Sequence, residues 1–453
     1  MAHGETPASG GKGFVGILAV ALTLSVASAL AAPLGDTIAV NTHYGAPRGR
    51  VDPVALRLLA DAGVRVIRND LDWAAIERTP GVFDFVSGEH DALVAAAEEV
   101  GLRVLFILGY GNPLYGPPLA VVDDAGRDAF AAFAAAAGGR YGGRGHRWEI
   151  WNEPNHPLFW TAPGVRPDPA AYAALVRAAV PALRAADPRG EILIGAAFTG
   201  LPTAIAALGG VPGIDFLTAV FATGVLDLVD GVTFHPYRAE APETVVAEVA
   251  AIRGAMERAG RMLPLWSGEW GYSSYDPAAP ATGLNYLPAV NEARQASWTA
   301  RMLLTGHRLR LAGSVIFKDR DATTPDPGDI EDHFGLLHGD LTPKPAYTAV
   351  ATLARLVGRA RPRKPLALPP GQHGLVFRAR GGQRVVALWA EQRGVWRLLA
   401  RERQARILAR DGRDMTPPAL AHGAILALDP DDGPVYLIGR IAVRPMQVEG
   451  GDP

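Results

Sequence analysis

The chain has no cysteine among its 453 residues, which removes disulfides, thiolate metal sites and thiol nucleophiles from consideration. It also lacks a surplus of charge. Forty-four basic residues stand against 46 acidic ones, a formal net charge of -2, so no field is available to grip a polyphosphate backbone and nucleic acid is not an expected partner. The 11 histidines show neither an H-x3-H nor an H-E-x2-H spacing, and no metal or other cofactor is expected. Long apolar runs are missing except at the start, where Phe14 to Ala32 carries no charge and follows Lys12. Ala29-Leu30-Ala31 before Ala32-Pro33 has the form of a processing site, so residues 1–32 read as a signal peptide, with an N-terminal membrane anchor as the alternative. Either reading makes this an exported protein: periplasmic, secreted, or tethered to the membrane. Oligomeric state is not readable.

What remains is a globular composition, 49% hydrophobic and 20% charged, long enough for one large core and a second smaller one. From about Asp36, short β-branched runs alternate with alanine-rich stretches, the pattern of parallel strands joined by crossover helices. Eight strands are expected: Thr37 to Asn41, Val64 to Asp70, Arg103 to Leu108, Arg147 to Asn152, Glu191 to Ala196, Val229 to Phe234, Pro264 to Glu269 and Gly313 to Phe317. Eight suggests closure into an α/β fold, a (β/α)8 TIM barrel. Helix starts are marked at Asp52-Pro53, Asp168-Pro169 and Pro242-Glu243, with Ser87 and Asp124 as further candidate caps and helical spacing from Asn291 to Leu311. After a last helix at 345–358 and the proline-rich Arg361-Pro362-Arg363-Lys364-Pro365, the texture becomes that of an antiparallel β-sandwich. The expected organisation is therefore a barrel at 33–360 and a sandwich domain at 361–453.

In such a barrel, polar residues just beyond the carboxyl ends of the strands converge on one mouth. The fourth strand runs into Trp151-Asn152-Glu153-Pro154-Asn155, and the seventh into Trp266-Ser267-Gly268-Glu269-Trp270-Gly271. Two carboxylates facing one another suit cleavage of an acetal, because a departing oxygen needs a proton while the carbon left behind needs an electron pair. Indoles at Trp151, Trp266 and Trp270 offer apolar walls, or faces for a sugar.

These strand ends resemble the clan A glycoside hydrolases, whose acid/base closes strand four in Asn-Glu-Pro and whose nucleophile closes strand seven. The phrases RVIRNDLDWAAIERTPGVFDF, Arg65 to Phe85, and FGLLHGDLTPKPAY, Phe334 to Tyr347, resemble family 39 and the related exopolysaccharide-operon endoglycosidases. The resemblance spans roughly Asp36 to Val357. It implies a retaining glycosidase cleaving β-linked oligo- or polysaccharide, with Glu153 as acid/base and Glu269 as nucleophile. Asn152 would then bond the sugar 2-hydroxyl, Arg68 would steady the nucleophile's charge, and His235 and Tyr237 would lie beside it. Where many members of the clan carry a tryptophan after strand eight, this chain has Phe317-Lys318-Asp319, and Lys318 suggests an anionic or acylated sugar.

Blander readings stand beside these. A buried glutamate is usually an arginine's structural partner, which is the expectation for Glu149 within strand four. Asn41, His43, Tyr110 and Asn112 fall at the mouth, as substrate contacts or as loop residues. Trp160 and Tyr275 either stack on a glycan or cover core. Transglycosylation would use the same residues. A silent carbohydrate-binding barrel would not need both glutamates.

Overall fold

The structure, a computed structural model, describes residues 33–446; the proposed export segment and the last seven residues lie outside it. Eight parallel strands close a barrel: β1 (Ile38–Asn41), β2 (Val66–Asp72), β3 (Arg103–Gly109), β4 (Arg147–Ile150), β5 (Glu191–Phe198), β6 (Gly231–His235), β7 (Leu265–Trp270) and β8 (Gly313–Ile316). Each pairs with its sequence neighbour, and β8 returns to β1 through Ile38↔Ser314. Strand ends differ from the sequence expectation by one or two residues. The fourth strand stops earlier than expected because Trp151 and Glu153 adopt positive φ, 68° and 46°, which turns the chain out of the sheet.

Helix starts follow capping chemistry. Asp52 accepts from the backbone N–H of Val54 and Ala55, Asp168 from Ala170 and Asn291 from Arg294, each before a helix. Two expected caps are displaced. Asp123 rather than Asp124 caps Asp124–Tyr141, and the helix His90–Glu99 begins at Glu89 with no side-chain cap, because Ser87 instead donates its N–H to Asp84. Pro242–Thr244 forms a 3-10 turn that leads into Val245–Arg258.

The barrel interior is filled in layers. At the amino ends of the strands Ala39, Val66, Leu105, Leu193, Trp266 and Val315 form one buried apolar cluster. Two residues further along their strands stand Asn41 and Arg68, and Glu149 of β4 joins Arg68, so a polar group of side chains follows. Trp266 therefore belongs to the floor, with the Arg147 guanidinium 5.1 Å from its ring, and does not wall the mouth as the sequence suggested.

Beyond the helix Pro345–Val357 come two antiparallel sheets. One contains Arg361–Pro362, Gln372–Arg378, Arg384–Ala390, Val435–Ile438 and Arg406–Leu408, and the other Ala424–Leu428, Gly394–Ala400 and Ile441–Pro445. Val386, Leu388 and Leu437 face the smaller sheet's Trp396, Leu398 and Leu426, whereas Val385, Ala387, Trp389 and Tyr436 join the barrel's core cluster. The larger sheet is thus covered on both faces, which is why its strands read as near-continuous apolar runs. Trp389 reaches across to donate to Glu243, itself paired with Arg301. Among the described residues, no helix is long and apolar enough to cross a membrane.

Candidate active site

The polar layer is organised by Arg68, whose side chain is buried at the centre of the barrel. Its Nε donates to Glu149 at 2.7 Å, Nη1 to Glu269 Oε2 at 2.6 Å and to Asn41 at 3.1 Å, and Nη2 to Asn152 Oδ1 at 2.7 Å. Burial works against its charge, but Glu149 and Glu269 outweigh that, and the guanidinium stays firmly protonated. Glu149 takes a second hydrogen bond from the Thr233 hydroxyl and is fully buried, a structural partner rather than a cleft residue. This one arginine links β1, β2, β4 and β7.

Above it lie the two glutamates. Glu269 Oε2 is held by Arg68, and its Oε1 accepts from the Tyr237 hydroxyl at 2.7 Å. Burial and the neighbouring Glu269 charge push the Tyr237 phenol well up, so it is a neutral donor. Glu153 has no cation of its own. Burial, and then the Glu269 charge, raise its carboxyl well above the usual range. His235 bridges Glu153 and Arg68: Nδ1 is 2.8 Å from Glu153 Oε1 and Nε2 is 3.4 Å from Arg68 Nη2. An arginine nitrogen can only donate, so Nε2 accepts and the imidazole proton sits on Nδ1, pointing at Glu153. Burial, and then Arg68, keep that ring neutral. One oxygen atom of Glu153, one of Glu269 and a His235 nitrogen all lie within 4.8 Å of one another. The trio has the residue types of a metal site, yet Arg68 already supplies the positive charge, and both Glu269 oxygens and His235 Nδ1 are engaged.

Local backbone delivers Glu153 to this place. Positive φ at Trp151 and Glu153 flanks Asn152, and the turn is tied by Trp151 N–H to Leu108 O at 2.9 Å and Glu153 N–H to Ala196 O at 3.0 Å. Left-handed backbone at non-glycine residues costs free energy and persists where surrounding contacts impose it. β5 is itself irregular between Ile194 and Ala197.

The mouth opens into a cavity of about 590 Å³. His43, Tyr110, Arg68, Asn152, Glu153, Tyr237 and Glu269 all reach it. Four expected contacts do not. His235 is fully buried and meets Glu153 rather than the cavity. Asn41 is buried beneath the cleft, bonded to Arg68 and lying 3.2 Å from His43 Nε2. Trp270 points outward from the barrel, fully buried, and donates to Ser314 at 3.0 Å, because Glu269 rather than its neighbour takes the inward position. Lys318 lies outside the cavity lining, with its ammonium 5.6 Å from the Phe317 ring. Trp160, Tyr275 and Asn112 are likewise buried in the structure.

Sequence reasoning missed Arg48 and Asp70, which also line the cavity. Burial opposes the Asp70 charge, but His43 and Arg48 hold its carboxyl below the usual range, and Arg48 Nε stands 3.0 Å away. Asp70 was visible two residues after Arg68 on the same strand face. Nothing marked Arg48, which comes from the loop after β1.

No family model matches the chain, and no curated protein matches it. Solved structures do. A family 39 glycoside hydrolase from the gut symbiont Bacteroides cellulosilyticus WH2 is 23% identical, with a TM-score of 0.70 over 90% of this chain and 82% of that one. A family 39 β-xylosidase from Caulobacter crescentus is 19% identical with a TM-score of 0.57, covering 89% and 95%. A family 30 endoxylanase from Clostridium papyrosolvens C71 is 10% identical with a TM-score of 0.57, covering 89% and 96%. What this chain shares with these glycoside hydrolases is the fold, barrel and sandwich together.

Proposed function

We propose that this protein is a retaining glycoside hydrolase that cleaves β-glycosidic bonds by double displacement, with Glu269 as nucleophile and Glu153 as acid/base. The observation that carries the reading is the approach of Glu153 and Glu269 to within 4.8 Å, with opposite surroundings. Retaining enzymes hold their carboxyl groups about 5 to 5.5 Å apart, whereas inverting ones need roughly 6.5 to 9.5 Å to admit a water. Arg68 and Tyr237 donate to the two Glu269 oxygens, whereas burial and the Glu269 charge raise the Glu153 carboxyl well above the usual range.

In the first step a Glu269 oxygen bonds to the anomeric carbon, the bond from that carbon to the leaving oxygen breaks, and the Glu153 proton passes to that oxygen. Glu269 is then a neutral ester, so the charge that raised the Glu153 carboxyl is gone and Glu153 becomes a usable base. In the second step Glu153 takes a proton from water, the water oxygen bonds to the anomeric carbon, and the bond to Glu269 breaks. His235, donating to Glu153 Oε1, orients it so that the other oxygen carries the mobile proton. Asn152 Oδ1 accepts from Arg68, which leaves the amide NH2 to donate to the sugar 2-hydroxyl.

The shared fold of the neighbouring glycosidases supports the reading, as does the pairing of both glutamates with their supporting residues. Export remains part of the proposal, on the composition of Phe14 to Ala32. Glu269→Gln should lower turnover of aryl β-glycosides by about 10⁴ or more while substrate binding persists. Unchanged product release in that variant would remove the assignment.

A further inference from the structure

Within the reading of this cleft as a glycosidase site, we infer that the leaving group is an apolar aglycone, an alkyl, acyl or isoprenoid chain, rather than a further sugar. The cavity lining is of two unlike kinds. Arg48 and Asp70 are charged and paired with each other, whereas Leu158, Leu201, Ala204, Ile205, Leu208 and Leu284 form an aliphatic wall. The aliphatic wall begins at the acid. His156 follows Glu153 by three residues, donates its backbone N–H to Glu153 O, and packs edge-on against Phe159 and Phe198; Leu158 comes two residues later, and Leu201 and Ile205 cluster with Phe198. A departing oxygen must reach Glu153, so whatever it carries is laid against this wall.

Three leucines here are left open to solvent: Leu158 at 56%, Leu208 at 59% and Leu284 at 74%. Single exposed leucines are ordinary, but three converging on one cavity form an apolar patch. A sugar asks for hydrogen-bond partners and a flat ring to stack on. Several polar groups of the lining are engaged within the protein: the Asn285 amide donates to Gly328 O and accepts from Ile330 N–H, the Tyr286 hydroxyl donates to Glu331, and His156 Nδ1 accepts from Leu158 N–H. The cavity carries aromatic rings, Tyr110, Phe159, Phe198, Tyr237, Tyr286 and Phe317, but its lining from Leu201 to Leu208 is aliphatic throughout. Sugar hydroxyls pressed against branched aliphatic side chains would lose water without replacement, whereas hydrocarbon gains by the same burial.

The test uses n-alkyl β-glucosides from hexyl to decyl, below their micellar concentrations, titrated calorimetrically into the full protein and into a Leu208→Ser/Leu284→Ser variant. Both positions are exposed, so the variant should fold. The expected result is a Kd falling about two- to fourfold per added methylene, and a shallower dependence in the variant. A Kd independent of chain length, or the same dependence in both proteins, overturns the inference. Aryl glycoside turnover measured alongside separates the two claims: turnover without chain-length dependence refutes the apolar wall alone, and chain-length dependence without turnover refutes the glycosidase alone.

Discussion

Replacing Arg68 with methionine removes the guanidinium at similar length, and the structure fixes what should follow. Glu149 would be left in the barrel interior, its side chain fully buried, with only the Thr233 hydroxyl as a partner. Breaking a buried ion pair from one side costs about 3–5 kcal/mol, a large share of the roughly 5–15 kcal/mol that holds a domain folded. Glu269 is 13% exposed and keeps Tyr237, so its loss adds less. Urea unfolding at pH 7 should therefore show a deficit of about 3–5 kcal/mol. Burial already raises the Glu149 carboxyl, and without Arg68 it would protonate more readily, so the deficit should shrink as pH falls. Adding Glu149→Gln should recover about half the stability by removing the uncompensated charge. It should not recover activity, because the nucleophile still lacks its cation; kcat/KM should stay lower by about 10²–10³. A single variant that loses less than about 1 kcal/mol, or a double variant with restored turnover, would refute the role given to Arg68.

Glu153→Gln keeps the acceptor for His235 but has no proton to give, so alkyl glycoside hydrolysis should fall about 10²–10⁴-fold while dinitrophenyl glycosides, whose leaving group needs no proton, keep most of their kcat/KM and show a burst. Equal loss on both substrates would contradict the acid assignment. Because the native fold raises the Glu153 carboxyl, that contribution to stability is present at low pH and lost as pH rises through the raised value. Thermal scans should accordingly favour the glutamine variant more at pH 8 than at pH 4. His90, His146, His156 and His307 are buried and lowered to about 4, so their contribution is present above about pH 6.5 and lost as pH falls toward 4. Each contributes at most about 3 kcal/mol, and a melting temperature that stays flat from pH 7 to 4 would contradict their burial as neutral rings.

The barrel was legible because its signals are local. β-branched runs gave strands, Asp-Pro pairs gave helix starts, and the Asn152-Glu153 and Glu269 strand ends needed only barrel geometry to become neighbours. What misled was rotation about the strand. Trp270 and Glu269 are adjacent in sequence and point to opposite sides of the sheet, and a bulge between Ser314 and Ile316 lies beside them. Periodicity alone could not choose which faces inward. Lys318 differs for another reason, since its ammonium lies by the Phe317 ring outside the cavity lining, a placement that spacing does not reveal. Arg48 and the leucines of the outer wall sit on loops, whose course depends on tertiary contacts such as Asn69 accepting from Tyr44 N–H and the Thr42 hydroxyl.

Retention itself can be read directly. Proton NMR during hydrolysis of an aryl β-glycoside shows the first anomer released before the sugar equilibrates in water. With Glu153 and Glu269 as close as they stand here, the β-anomer should appear first and the α-anomer only by later mutarotation. An α-anomer appearing first would mean a water attacks directly, and the double-displacement account would fall.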